Sequence, residues 1–327
     1  MKIIVVGCGD WGKNIARTLK NLNSLHAICD HHHSEKAVKA AEEFGVPLLT
    51  FEEALKENSV DGMVISTQTN SHYELAKSSL EKGLHVFVEK PLVPSKDEAL
   101  ELEALSHKKN CVLMVGHLLR YHAAFERLHT WVREEKLGDV LHVNTSRKNL
   151  GKIYPNEGVI WDLAPHDLSM VLALIGKKVD RVLATGANYA IPIHADEAMI
   201  SLKFKESPQA AFITLSRLSP LKEQKITVSG TSGMAVFDDT LPWESKLTFF
   251  DNHIVQKSPT RFEVMRDMDG SSENLSASEP LKAEMTHFLE CIKSGAKART
   301  PAREAIEILD IIHAAHQSIK DGGWVYL

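Results

Sequence analysis

The sequence predicts an α/β protein of two domains: an N-terminal doubly wound parallel sheet, followed by an α+β domain built on an open, mainly antiparallel sheet. Three observations predict it. Short apolar runs alternate with helical stretches from Lys2 to Gly116, the pattern of parallel strands wrapped by helices. A glycine-rich turn, Gly7-Cys8-Gly9-Asp10-Trp11-Gly12, follows the first run directly. Beyond about residue 120 the pattern becomes Val-, Ile-, Thr- and Phe-rich runs with period-two alternation and short turns, the signature of consecutive antiparallel strands.

The strand candidates of the first domain are Ile3 to Val6, Leu25 to Cys29, Gly62 to Ser66, Leu84 to Val88 and Cys111 to Val115. Helices are expected over Ser34 to Phe44 and Ser95 to Lys109, each opening on a serine cap, with Gly45 and Gly83 at helix ends. A helix from about His122 to Glu135 leads into strand candidates Val140 to Asn144, Val179 to Tyr189, Glu197 to Phe204, Ala210 to Ser216, Lys225 to Ser229 and Met234 to Phe237. A helix from about Asp162 to Ile175 interrupts them. Another, from about Arg303 to Lys320, precedes a terminal strand over Trp324 to Leu327. The polar, Ser-rich Asp267 to Ser278 reads as a loop. At 327 residues the chain exceeds one typical core, and the division expected is 1–120 and 121–327.

Composition excludes several function classes. The 38 Lys and Arg against 43 Asp and Glu give a net charge of −5 with no block of one sign, so neither a nucleic-acid arm nor a polybasic membrane patch is indicated. No run approaches a membrane span. The N-terminal apolar run is too short for a signal-peptide core. Cys8, Cys29, Cys111 and Cys291 are widely spaced, three of them in apolar runs, which suits buried thiols in a reducing compartment. A cytoplasmic protein is expected.

The glycine turn carries the first chemical signal. GxGxxG alone is weak, but here it follows strand one and opens helix one, where backbone approaches a pyrophosphate and free N–H groups meet the anion. Gly7, Gly9, Asp10, Trp11 and Gly12 are therefore candidate cofactor residues, against the alternative of a turn serving only tight packing. Asp30 ends the second strand 18 residues after Gly12, close to the spacing at which an acid accepts the adenosine ribose hydroxyls. That favours NAD over NADP. His31 to His33 soften the preference if charged, while three adjacent loop histidines converge poorly on one ion, so no metal site is expected.

The second signal is Glu89-Lys90-Pro91, after the run ending at Val88, at the carboxyl end where open parallel sheets place ligands. An isolated lysine is usually a surface residue. Further support comes from Asp162 and His166, four residues apart at the start of a helix and so on one face. A carboxylate there orients an imidazole and stabilises its protonated form, and removing a hydroxyl proton during hydride transfer suits such a histidine. The competing reading is an Asp helix cap beside a packed histidine.

Taken in order, GCGDWG, Ser66 to His72 (STQTNSH), EKP at Glu89 to Pro91, GHLLRY at Gly116 to Tyr121, DxxxH from Asp162 to His166, Glu279-Pro280-Leu281 and the final Gly322-Gly323-Trp324-Val325 resemble the family of glucose-fructose oxidoreductases, inositol dehydrogenases and related sugar dehydrogenases, Gfo/Idh/MocA. The resemblance covers nearly the whole chain. It implies Lys90 on the substrate hydroxyl, His166 as general acid/base with Asp162 its partner, and Thr67, Asn70, His72, Glu89 and Gly116 lining the nicotinamide and ribose. Gln68 departs from the proline frequent at that point. Within the family, GHLLRYH and SRKNLGK followed by VIWDLAPHDLS look most like enzymes oxidising C3 of UDP-N-acetylglucosamine or its uronate. Arg120, Arg147, Lys148 and Lys152, with Tyr121 and Tyr154, then become candidates to hold a diphosphate and stack a uracil; a solvated basic loop is the competing reading. The alternatives are a dehydrogenase of free polyols or monosaccharides, and a catalytically silent NAD-binding sensor.

One face of the second sheet carries Ala198, Ile200, Leu202, Ala211, Ile213 and Leu215. A sheet covered on one side only would expose them, and burial against a second copy in a homodimer or homotetramer is the expected remedy.

Overall fold

The computed structural model describes residues 1–31, 33–151, 153, 157–190 and 193–327. The chain begins with β1 (Ile3–Val6), α1 (Asp10–Asn21), β2 (Leu25–Cys29), α2 (Glu35–Phe44), β3 (Leu48–Leu49), α3 (Phe51–Ala54), β4 (Gly62–Ile65), α4 (His72–Glu81), β5 (His85–Glu89), α5 (Lys96–Lys109) and β6 (Leu113–Gly116). It continues through α6 (Ala123–Arg133), β7 (Val140–Leu150), α7 (Val159–Ile175), β8 (Val179–Ala187), β9 (Glu197–Phe204), β10 (Ala210–Ser216), β11 (Leu218–Gly230), β12 (Met234–Asp238), β13 (Leu247–Phe250), β14 (His253–Ser258), β15 (Arg261–Met265) and β16 (Ser271–Ser272). It closes with α8 (Pro280–Ser294), α9 (Ala302–Asp321) and β17 (Val325–Tyr326).

The first sheet has the order β3-β2-β1-β4-β5-β6, and its described pairings are parallel. The order reverses at β1, which places a crevice at the carboxyl ends of β1 and β4. All four residues of β1 and of β4 are buried, as strands covered by helices on both faces must be. Local signals set the helix ends. The Ser34 hydroxyl accepts from the Ala37 N–H at the start of α2, and Gly45 closes that helix at φ 62°; Ser95 accepts from Glu98 N–H at the start of α5. The two-residue β3 has no periodicity to reveal it in the sequence.

The second sheet is nine-stranded, in the order β16-β13-β12-β11-β7-β10-β9-β8-β17. It is antiparallel apart from the parallel β7–β10 pair. Strands β7 and β11 run well beyond the sequence expectation because they pair along most of their length. The β14–β15 hairpin forms a separate two-stranded sheet.

Two expectations are corrected. The residues expected to need a partner copy are already covered within the chain: Ala198, Ile200, Leu202, Ala211, Ile213 and Leu215 are each at most 4% exposed, because this face packs on α7. The opposite face of the same strands carries Met199 and Phe212, 60% and 44% exposed. The linear division into 1–120 and 121–327 also fails for the C-terminal segment. The chain forms two compact units, Met1–Tyr121 with Glu279–Leu309, and His122–Ser278 with Asp310–Leu327. Helix α8 belongs to the first unit because Leu281, Met285 and Phe288 pack into the same core as Ile15, Phe87 and Tyr121. Burying these side chains there removes their apolar surface from water. Among the described residues, no helix is long and apolar enough to cross a membrane.

Candidate active site

The three glycines of the turn have different reasons to be glycine. Gly7 has φ +88°, and a Cβ there would lie 2.6 Å from Thr67 Cγ2. At Gly12 a Cβ would lie 2.1 Å from the Gly7 carbonyl oxygen, so glycine is what lets α1 pack on the strand. Gly9 faces open space and is the N-cap of α1 with no side-chain cap, which leaves the first N–H groups of that helix for an anion. Asp30, half-buried after β2, accepts the Ser34 N–H at 2.9 Å on Oδ1 and the Ser34 hydroxyl at 3.2 Å on Oδ2. The serine fixes the carboxylate's direction, and a carboxylate at this strand end is an acceptor of the kind ribose hydroxyls need. These features fit a dinucleotide. Asp10 points its exposed carboxylate at Lys36 Nζ, 2.6 Å away, and His31 is exposed. His32 lies outside the described residues. Among the described residues no group of three or more His, Cys, Asp or Glu could hold a metal.

The ends of β4, β5 and β6 build the other half of the cradle. The Trp11 indole N–H donates to Glu89 Oε1 at 2.6 Å, and a Cβ on Gly116 would sit 2.9 Å from Glu89 Oε2, so the glycine makes room for the carboxylate. Burial pushes the Glu89 carboxyl up, opposed by the Trp11 bond and the Lys90 charge. Lys90 is half-buried on the same loop. Thr67 accepts the Ser71 hydroxyl at 2.7 Å, and Asn70 is exposed. His72 does not line this surface. It is 1% exposed, and its ring nitrogens lie 3.0 Å from the Pro91 carbonyl oxygen and 3.3 Å from that of Thr67. It sits between the loops after β4 and β5; burial lowers its proton affinity against the pull of these carbonyls, and the single N–H of a neutral ring donates to one side at a time.

In the second unit, α7 begins at Val159, three residues before the sequence expectation, so Asp162 and His166 stand in its first turns. Both are half-buried. Arg217, 1% exposed, donates from Nη2 to Asp162 Oδ2 at 3.0 Å and from Nη1 to the Glu157 carbonyl at 2.6 Å. This guanidinium pins the chain entering α7 and orients Asp162, a role assigned to Asp162 itself for His166 in the sequence reading. Arg147 is committed inward: Nε and Nη2 donate to buried Asp167 at 2.8 and 3.3 Å. Lys148 pairs with Glu223 at 3.4 Å.

The diphosphate reading loses further members. Arg120 and Tyr121 belong to the first unit and are 6% and 1% exposed. Arg120 Nη1 donates to both oxygens of Glu304 at 2.7 and 2.8 Å, and the Tyr121 hydroxyl lies 3.4 Å from that of Thr300. Both are structural because a guanidinium or phenol so enclosed needs internal partners. Lys152 and Tyr154 lie outside the described residues.

Residues 1–117 match the model of the oxidoreductase family with an NAD-binding Rossmann fold, and residues 125–236 match the GFO/IDH/MocA C-terminal domain. The chain belongs to the Gfo/Idh/MocA oxidoreductase family. It is an oxidoreductase with an NAD-binding Rossmann domain. This Gfo/Idh/MocA oxidoreductase is 25% identical to the UDP-N-acetylglucosamine 3-dehydrogenase of Acidithiobacillus ferrooxidans, over 89% of this chain and 88% of the relative. A solved structure of that relative superposes with a TM-score of 0.84, at 22% identity over 98% of each chain. The scyllo-inositol 2-dehydrogenase (NAD(+)) of Bacillus subtilis (strain 168) is 23% identical, over 88% of this chain and 84% of the relative. GenD2 from gentamicin A biosynthesis, solved in complex with NAD, shares the fold at a TM-score of 0.82 and 21% identity, over 100% of this chain and 96% of that one.

Three residues of this Gfo/Idh/MocA oxidoreductase escaped the sequence reading. Arg217 carries no local signal, since its partners are remote in sequence. His117, 2% exposed, has no hydrogen-bond partner for either ring nitrogen among the described residues; burial, with the Arg120 and Lys90 charges, holds it down to about 3, so the ring is neutral. Glu284 is fully buried, again with no partner for either oxygen among the described residues. It had a signal: an acid within the apolar stripe of Leu281, Met285 and Phe288.

Proposed function

We propose that the protein oxidises one hydroxyl of a sugar or polyol, with Lys90 donating a hydrogen bond to that hydroxyl and His166 removing its proton. Bound NAD supplies the hydride acceptor. Asp162, held by Arg217, supports the imidazolium that His166 becomes. The observation that supports the reading is the end of β5, where the Trp11 indole holds Glu89, Gly116 leaves room for its carboxylate, and Lys90 follows directly with its N–H on Glu89 Oε2. The three residue types together favour a working enzyme over a silent sensor.

A UDP-N-acetylhexosamine, or its uronate, remains a second reading, favoured by the similarity to the UDP-N-acetylglucosamine 3-dehydrogenase. With Arg120, Arg147 and Tyr121 engaged internally, its diphosphate would depend on Lys148 and Lys152. A second copy covering the Met199–Phe212 face, in a homodimer or homotetramer, and a cytoplasmic setting complete the proposal. The test is a thermal-shift screen with NAD or NADP against inositols, free hexoses and UDP-sugars, followed by NADH formation with each stabilising ligand. Turnover of an inositol or free sugar with no response to UDP-sugars selects the first reading; the converse selects the second. No turnover with any of them, by a protein that binds NAD, rejects both.

A further inference from the structure

Two carboxyl groups of the first unit lie near enough for the charge of one to act on the other. Phe87 and Glu89 are two residues apart on β5 and point to the same face of the sheet. Glu284 and Phe288 are four apart on α8 and share one helical face. The Phe87 and Phe288 rings meet edge to face with centroids 5.8 Å apart, which packs these two faces on each other, and the Glu89 charge acts on Glu284. Glu284 is 0% exposed. A lone buried carboxylate without hydrogen bonds is too costly to keep, and such a group holds its proton instead.

The surroundings sort the two acids. Glu89 receives the Trp11 N–H from α1 and lies beside Lys90 on its own loop, both of which favour its anion. Glu284 faces Glu89 and Tyr121; burial and the Glu89 charge drive it well above the ordinary carboxylate range. From the segment after β6, His117 is neutral, Tyr121 stays a phenol because burial raises it, and Arg120 is paired with Glu304.

We infer that Glu89 and Glu284 form a single proton-binding pair whose occupancy answers to the charge of the nicotinamide ring. The inference rests on the dehydrogenase reading in one respect: in a doubly wound sheet of this order, the dinucleotide crosses from the β1–β2 side to the β4–β5 side, and Glu89 ends β5. Beside a cationic ring the pair favours its more ionised state and gives up a proton. Beside the neutral reduced ring it keeps it. Glu284 is then a positioning residue that acts through Glu89, and the protein prefers the oxidised cofactor more strongly as pH rises.

The experiment is calorimetric titration of the whole protein with NAD⁺ and with NADH, without sugar, at several pH values and in two buffers of different ionisation enthalpy. Wild type is expected to release protons on binding NAD⁺ and not on binding NADH, with NAD⁺ affinity rising by up to about tenfold per pH unit where the pair titrates. Glu284→Gln removes the exchangeable proton, so release and slope should vanish while NAD⁺ still binds. If that variant does not fold, the infrared difference spectrum of wild type decides: the carbonyl stretch of a protonated carboxylic acid should weaken on adding NAD⁺ and not on adding NADH. A pH-independent NAD⁺ to NADH affinity ratio, a Glu284→Gln protein that keeps the slope, or an unchanged carbonyl band would each overturn the inference. Because no sugar is present, proton-linked binding without turnover would sink the proposed function alone, and turnover with unlinked binding would sink this inference alone.

Discussion

Replacing Arg120 by Met separates an internal brace from a substrate contact. The guanidinium donates to both oxygens of Glu304 at 2.7 and 2.8 Å, with side chains 7% and 16% exposed. Removing one partner of so enclosed a pair leaves the other charge uncompensated, at about 3–5 kcal/mol. For a unit of this size that corresponds to a fall in Tm of roughly 6 to 20 °C. Arg120→Met/Glu304→Leu should recover most of the loss, since an apolar pair of similar volume needs no charge partner. The deficit should also depend on pH. Burial already raises the Glu304 carboxyl against the pull of Arg120, and without the arginine it rises further. The folded state then resists ionisation that the unfolded chain accepts from about pH 4.3, so the Arg120→Met deficit grows with rising pH and shrinks on acidification. Thermal unfolding at two pH values, with KM for a UDP-sugar measured beside it, checks all three. An unchanged unfolding midpoint with KM raised for UDP-sugars alone would refute the brace and return Arg120 to the substrate.

Gly12→Ala should destabilise the first unit, because its Cβ meets the Gly7 carbonyl oxygen at 2.1 Å; Gly9→Ala enters open space, so its unfolding should be unchanged while NAD binding weakens, as calorimetry would show. Asp30→Ala should weaken NAD binding by about 1.5–3 kcal/mol, the worth of hydrogen bonds to a charged acceptor, and affect NADP less; tighter binding of NADP by the native protein would reverse the cofactor preference. His166→Ala and Lys90→Ala should each lower kcat by about 10² to 10⁴ with NAD affinity intact, and the double variant should lose much less than the product; multiplicative losses in steady-state kinetics would show that the two do not serve one hydroxyl. Asp162→Asn removes the carboxylate that Arg217 holds, so the acid limb of kcat/KM should move to lower pH; a shift to higher pH would exclude Asp162 as support for the imidazolium.

What the sequence determined by itself is local in origin. The GxGxxG turn announces itself because a strand, a positive-φ glycine and an uncapped helix start are consecutive, and Ser34, Ser95 and Gly45 mark helix ends through bonds to residues three or four away. Strand periodicity likewise found β7 to β12 without any knowledge of their partners. What tertiary structure alone decided concerns groups whose partners are distant. Arg120 reads as a free cation until Glu304, 184 residues later, closes on it; Arg147 does so until Asp167 is placed beneath it. His72 sits in a motif segment yet spends its ring on the Pro91 and Thr67 carbonyls. Ala198 to Leu215 read as a face awaiting a partner until α7 covers it. The return of α8 to the first unit, and with it the action of the Glu89 charge on Glu284, has no local cause at all. An ion pair or a buried acid is defined by which charges and how much water the fold leaves within a few ångströms, and sequence spacing carries that information only within a single helix or strand.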